Sequence, residues 1–129
     1  MTQEEMKART KKFALRVIRL VESFPNTKTA NLIGNQLLRS GTSVGANYRA
    51  ACRAKSTADF ISKLSIVEEE NDELIYWMEL LIESETVKEN LLQNLMEEAD
   101  EILSIIVSSI KTLKEKRNPK SQIPNPKSI

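Results

Sequence analysis

Between Glu22 and Asp59 the only charged residues are Lys28, Arg39, Arg49, Arg53 and Lys55. On a helical wheel, Lys28, Arg39, Arg49 and Arg53 fall within an arc of about 80°. Ile33, Leu37, Val44, Tyr48 and Ala51 lie on the opposite side. A stripe of cations turned away from a core suits phosphate, because Lys and Arg release counterions from nucleic acid when they bind it. Those four residues are therefore the candidate nucleic-acid contacts. The same stripe serves equally well as a solvated face, or as a partner for acids of another helix or subunit. Both readings stay open at the level of sequence.

Other reactive side chains offer less. Glu68, Glu69, Glu70, Asp72 and Glu73 have the look of a metal cluster, but a di-iron helical site uses Glu-x-x-His and the chain has no histidine. Glu69, Asp72 and Glu73 also point opposite Phe60 and Leu74 on the wheel, so a solvated or intersubunit acidic face is expected. Cys52 has cations nearby, but no base or second thiol accompanies it, and it reads as a structural thiol. Without histidine the chain lacks the commonest general acid–base and metal-ligating side chain. No phosphate loop, Ser/His/Asp set or Cys-x-x-Cys occurs. We assign no catalytic residue, metal or cofactor, and expect a non-enzyme.

The elements that position these residues are helical. Prolines occur only at 25, 119, 124 and 126, and glycines only at 34, 41 and 45. Apolar residues recur at helical spacing throughout. We read helices over about 3–23, 27–53, 57–84 and 87–116, with Asn26 or Thr27 and then Ser56 as N-caps. The expected core residues are Met6, Phe13, Val17, Leu20 and Phe24, then the five apolar residues of the second helix. Phe60, Leu64, Val67, Leu74, Met78 and Leu81 follow, then Leu91, Leu95, Ala99, Ile102, Ile106, Ile110 and Leu113. Short links between long helices favour antiparallel neighbours, so the fold class is all-α, an up-down-up-down four-helix bundle. Residues 1–116 form one domain, and 117–129 read as a disordered tail.

Gly34, Gly41 and Gly45 form a second arc about 40° wide beside the cations. Glycine costs roughly 1 kcal/mol inside a helix relative to alanine. Three on one side call for close approach by another helix, within or between protomers. Asn47 and Asn71 fall at or within apolar stripes, where a hydrogen-bonded amide fixes register. Ser40, Ser43 or each other are their expected partners. Trp77, on the flank of its stripe, is a packing or oligomer-interface residue.

Residues 1–55 carry eleven Lys/Arg against three Asp/Glu, and residues 56–116 carry five against fifteen. The net charge of +1 thus hides two opposed halves. They can attract each other within the protomer or between protomers, or meet outside partners. No run approaches the roughly 18 apolar residues of a membrane span. A single cysteine and no secretory apolar stretch place the expectation in a reducing cytoplasm.

Residues 38–83 carry a long signature: Arg39-Ser40, Ser43-Val44-Gly45-Ala46-Asn47-Tyr48-Arg49, Ala51-Cys52-Arg53, Ala58-Asp59-Phe60, Lys63-Leu64 and Tyr76-Trp77. This resembles the bacterial four helix bundle protein family, whose founding members are encoded by intervening sequences in large-subunit ribosomal RNA genes. The resemblance covers about residues 8–115. Some branches carry an acidic-glycine pair after the asparagine; here Arg49-Ala50-Ala51 stands there, so no role of that acid is transferred. The resemblance implies a homopentameric ring and kinship with the accessory variability protein of diversity-generating retroelements, a basic pentamer that binds nucleic acid and a reverse transcriptase. The expected partners are therefore other copies of the chain and either RNA or DNA. The alternative is a scaffold for another protein with no nucleic-acid binding.

Overall fold

The structure, a computed structural model, describes residues 1–117. These contain four helices and no strand: α1 (Gln3–Glu22), α2 (Lys28–Ala51), α3 (Thr57–Glu83) and α4 (Glu89–Arg117). Every boundary falls within two residues of its expected position. Arg117 closes α4, and the rest of the expected disordered tail lies outside the described residues.

Local sequence explains the ends. Thr2 and Glu5 form a reciprocal capping box at the start of α1. Thr27, rather than Asn26, caps α2 by accepting from the Ala30 N–H at 3.2 Å. Ser56 caps α3 by accepting from the Asp59 N–H at 3.1 Å. After α3 the chain turns through Glu85, at φ 60°. The Thr86 N–H reaches the Leu81 carbonyl and the Glu85 N–H reaches that of Ile82. This pair of bonds satisfies two orphan carbonyls, in a position where glycine is the usual residue.

One core unites all four helices. The five expected apolar residues of α2 are buried, as are Leu64, Val67, Leu74, Met78 and Leu81 of α3. Five of the expected core residues are not buried. Leu91 is 60% exposed, whereas Leu92 is fully buried. The stripe of α4 runs Leu92, Leu95, Ala99, Ile102, Ile106 and Ile110, and Leu91 lies on its flank, about 65° from the centre. Likewise Ile61 enters the core, while Phe60, Leu20, Phe24 and Leu113 remain half-buried at its rim.

The glycine arc faces α1. A Cβ on Gly41 would sit 2.8 Å from Val17 Cγ1, one on Gly34 would sit 3.1 Å from Val21 Cγ1, and one on Gly45 would meet the Thr10 carbonyl at 3.4 Å. The neighbour that needs these glycines is thus a helix of the same protomer. The α2–α3 packing is the most extensive, the α1–α2 and α3–α4 packings are equal and come next, and α1 and α4 touch least. Their seam is bridged by Arg9, whose guanidinium grips both Glu98 oxygens at 2.7 Å and Glu101 at 2.9 Å.

Candidate nucleic-acid interface

The α2 cations do not share one environment. Arg39, midway along the helix, turns across to α3. Its guanidinium binds Glu70 at 3.1 Å and Glu73 at 2.6 Å. Glu73 also accepts from the Trp77 indole N–H at 3.2 Å. Arg39 first, and then Trp77, hold the Glu73 carboxyl below the usual carboxylate range against the opposing effect of burial. Two members of the acidic run are therefore tied to α2 and do not form a purely solvated face. Trp77 is half-buried and meets the exposed Tyr76 ring edge-on at 5.3 Å.

Lys28, Arg49 and Arg53 are exposed and make no ion pair with another described residue. Lys28 opens α2, and Arg49 lies in its last turn. They stand about 30 Å apart at 1.5 Å per residue. What reads as one stripe on the wheel is two separate positive poles with a neutralised centre.

The pole at Arg49 and Arg53 is the larger. Cys52 ends α2, and Ala54 folds back through its N–H to the Ala51 carbonyl. The Lys55 N–H then donates to the Asp59 carboxylate at 3.1 Å. Asp59 also holds the Lys63 ammonium at 2.7 Å. Lys63 first, then the Lys55 N–H, pull the Asp59 carboxyl below its ordinary range. The acid nearest this turn is thus already engaged, while the exposed Lys55 ammonium forms no ion pair among the described residues and acts on Asp59 at longer range. The other end of the chain adds to this pole, since Lys114, Lys116 and Arg117 form the last turn of α4.

Two shallow clefts show how closely these ends converge. One, of about 300 Å³, is lined by Gln3, Tyr48, Phe60, Ser108, Thr112 and Leu113 among others. The second, of about 280 Å³, shares Gln3 and Phe60 and adds Cys52, Lys55 and Thr57. The starts of α1 and α3 thus meet the ends of α2 and α4. Tyr48 is buried beside Cys52; burial chiefly, and the neighbouring thiol secondarily, push the phenol pKa upward, so it stays a protonated O–H. Helix-wheel reasoning within α2 missed the α4 cations. The signal was available in the expected up-down-up-down order, which would put the basic ends of α2 and α4 together.

The two amides act locally. Asn47 donates to the Ser43 carbonyl at 2.9 Å within its own helix. Asn71, fully buried, reaches neither serine nor Asn47 but donates to the Ala99 carbonyl of α4 at 3.1 Å. Its Oδ1 is buried without a partner among the described residues. Among those residues no three acidic or sulfur side chains converge as a metal would need. No helix there is long and apolar enough to cross a membrane.

Residues 3–108 match a family model described as 23S rRNA-intervening sequence protein. The chain is also similar to a protein of unknown function from the S23 ribosomal protein family of Bacteroides thetaiotaomicron, known from its crystal structure. The two are 38% identical over 86% of this chain and 99% of that one, with a TM-score of 0.79. No curated protein matches the chain.

Proposed function

The chain belongs to the 23S rRNA-intervening sequence protein family, and on that premise we propose that it is a non-enzymatic, oligomeric nucleic-acid-binding protein that grips phosphate backbones of RNA or DNA. The observation that carries this reading is the exposure of Arg49 and Arg53 without an acidic partner among the described residues. Lys28 marks a second, weaker contact. Arg39 drops out of the contact set, because Glu70 and Glu73 already neutralise it. The protomer is an antiparallel up-down-up-down bundle. The order of contacts between α1 and α2 supports this, since Thr10, Val17 and Val21 meet Gly45, Gly41 and Gly34 in turn. A cyclic homo-oligomer is supported by the opposed charges of the two halves, and by Leu15, Leu32, Leu91 and Val107 standing exposed on three helices. Repetition around such a ring would multiply a weak phosphate contact by avidity.

Fluorescence anisotropy with a labelled structured RNA and a single-stranded DNA, over a salt series, tests this. Wild type binds with little sequence preference and loses affinity steeply with salt. Arg49→Glu with Arg53→Glu removes two phosphate contacts per protomer and flattens the log–log salt slope by roughly 1.4 on a single strand. Arg39→Met leaves that slope unchanged. No binding by wild type at low salt, or an unchanged slope in the double variant, rejects the proposal.

One cluster favours a second reading, a protein scaffold. Arg39, Tyr76 and Trp77 lie together on the α2–α3 face, and arginine with aromatic residues is the composition of protein-interface hot spots. Co-purification of a protein partner that Tyr76→Ala abolishes, with no RNA carried along, would favour the scaffold.

A further inference from the structure

At the basic pole, charge and shape coincide. The 300 Å³ cleft has the half-buried Phe60 ring and Leu113 in its walls. Gln3, Ser108 and Thr112 bring exposed polar groups to the same space. On α4, Lys116 lies one turn beyond the cleft residue Thr112 and on the same face. Lys55 lines the adjoining cleft, which shares Phe60. A cleft of this volume stands at the small end of ligand sites. A helix, about 10 Å across, does not enter it. A single planar ring does, and the hydroxyls and amide then meet its hydrogen-bonding edge.

We infer that this cleft receives one unstacked nucleobase, so that the protein selects single-stranded over duplex nucleic acid. Phosphates on either side of the base meet Lys55 and the cations in the last turn of α4. Bases in a duplex are stacked and paired and present no free ring to such a cleft, whereas a single strand turns one out at little cost. The inference rests on the phosphate-binding reading and adds to it a site for the base.

The test compares three labelled ligands at one low salt concentration: a short oligothymidylate, the same backbone without bases, and a hairpin duplex of matched charge. The oligothymidylate binds about tenfold more tightly than the abasic strand, the lower range for one stacked base. Ser108→Trp or Thr112→Trp, both at exposed positions, fills the cleft. Either variant brings the oligothymidylate down to the abasic level and leaves abasic binding unchanged, with an unaltered circular dichroism spectrum. Equal binding of intact and abasic strands overturns the base site and leaves phosphate binding standing. Preference for the duplex, or a preference that survives both tryptophan variants, also overturns it. Absence of binding to all three ligands overturns both readings together.

Discussion

Gly41→Ala probes the tightest of the three glycine contacts. The added Cβ lies 2.8 Å from Val17 Cγ1, 3.0 Å from Cγ2 and 3.1 Å from Cβ, all well inside the 3.5–4.0 Å optimum for carbon atoms. Val17 is fully buried and has no room to rotate away. Overpacking of this kind costs about 1–3 kcal/mol. Alanine recovers roughly 1 kcal/mol of helix propensity. The net effect is a loss of about 1 kcal/mol, or roughly 4 °C in Tm for a domain of this size. Gly34→Ala supplies the control. Its Cβ meets one methyl of the half-buried Val21 at 3.1 Å, which can give, so propensity wins and Tm rises by a few degrees, about 2–4 °C. Thermal melts at one protein concentration read both, since assembly makes Tm concentration-dependent. In a Val17→Ala background the colliding methyls are gone, and Gly41→Ala becomes neutral or stabilising. A Tm that rises equally in the two glycine variants, or a cycle with no coupling between positions 17 and 41, refutes the close-packing account.

Two further predictions concern polar groups. Arg9 holds the Glu98 carboxyl below its ordinary range, chiefly by hydrogen bonding and against the opposing effect of burial. A carboxylate with a depressed folded pKa contributes stability that is present above the unfolded value and lost as pH falls through the folded one. Tm should therefore drop between about pH 5 and pH 3, and Arg9→Met should shallow that drop; parallel curves would discount the latch. Asn71→Leu removes a buried carbonyl oxygen with no partner and should raise stability by about 1 kcal/mol, while Asn71→Asp at neutral pH should lower it by about 3 kcal/mol or more. Denaturant melts read both, and a leucine variant less stable than wild type would show that the bond to Ala99 outweighs the orphan oxygen.

The helices were legible because each signal acts locally. Thr27 and Ser56 cap by reaching three residues ahead, and the period of the buried residues is set by the helix itself. The α3–α4 turn was less legible, because Glu85 takes a left-handed conformation that sequence leads one to look for at glycine. Leu91 and Leu92 were indistinguishable in type, and a rotation of about 100° decides which is buried. The site was legible only in part. A wheel gives direction about one axis and says nothing of what stands opposite. It grouped Arg39 with Arg49, although α3 presents two carboxylates to the first and none to the second. It gave no sign of the cleft, which four helix ends build together.

That difference changes the meaning of the opposed charge halves. If their attraction held the protomer together, most cations of residues 1–55 would face acids of residues 56–116. Among the described residues only Arg9 and Arg39 form such ion pairs, and Arg16 and Lys55 act on Glu98 and Asp59 only at longer range. Lys7 pairs with Glu4 in its own helix. Partly exposed ion pairs contribute about 0–1 kcal/mol each, small beside a core that contains Phe13, Leu37, Leu64, Met78 and Ile102 fully buried. Apolar packing therefore sets the fold, and most of the charge is free to act outward. The two inward pairs also have a spatial effect. Arg39 neutralises the middle of α2, so a polyanion approaching that helix meets a pole at Lys28 and a stronger one at Arg49, Arg53 and Lys55. The stronger pole is the one that adjoins the cleft and the basic last turn of α4. By using Arg39 to join α2 to α3, the protein leaves the unpaired positive charge of α2 at its two ends, the larger share at Arg49, Arg53 and Lys55.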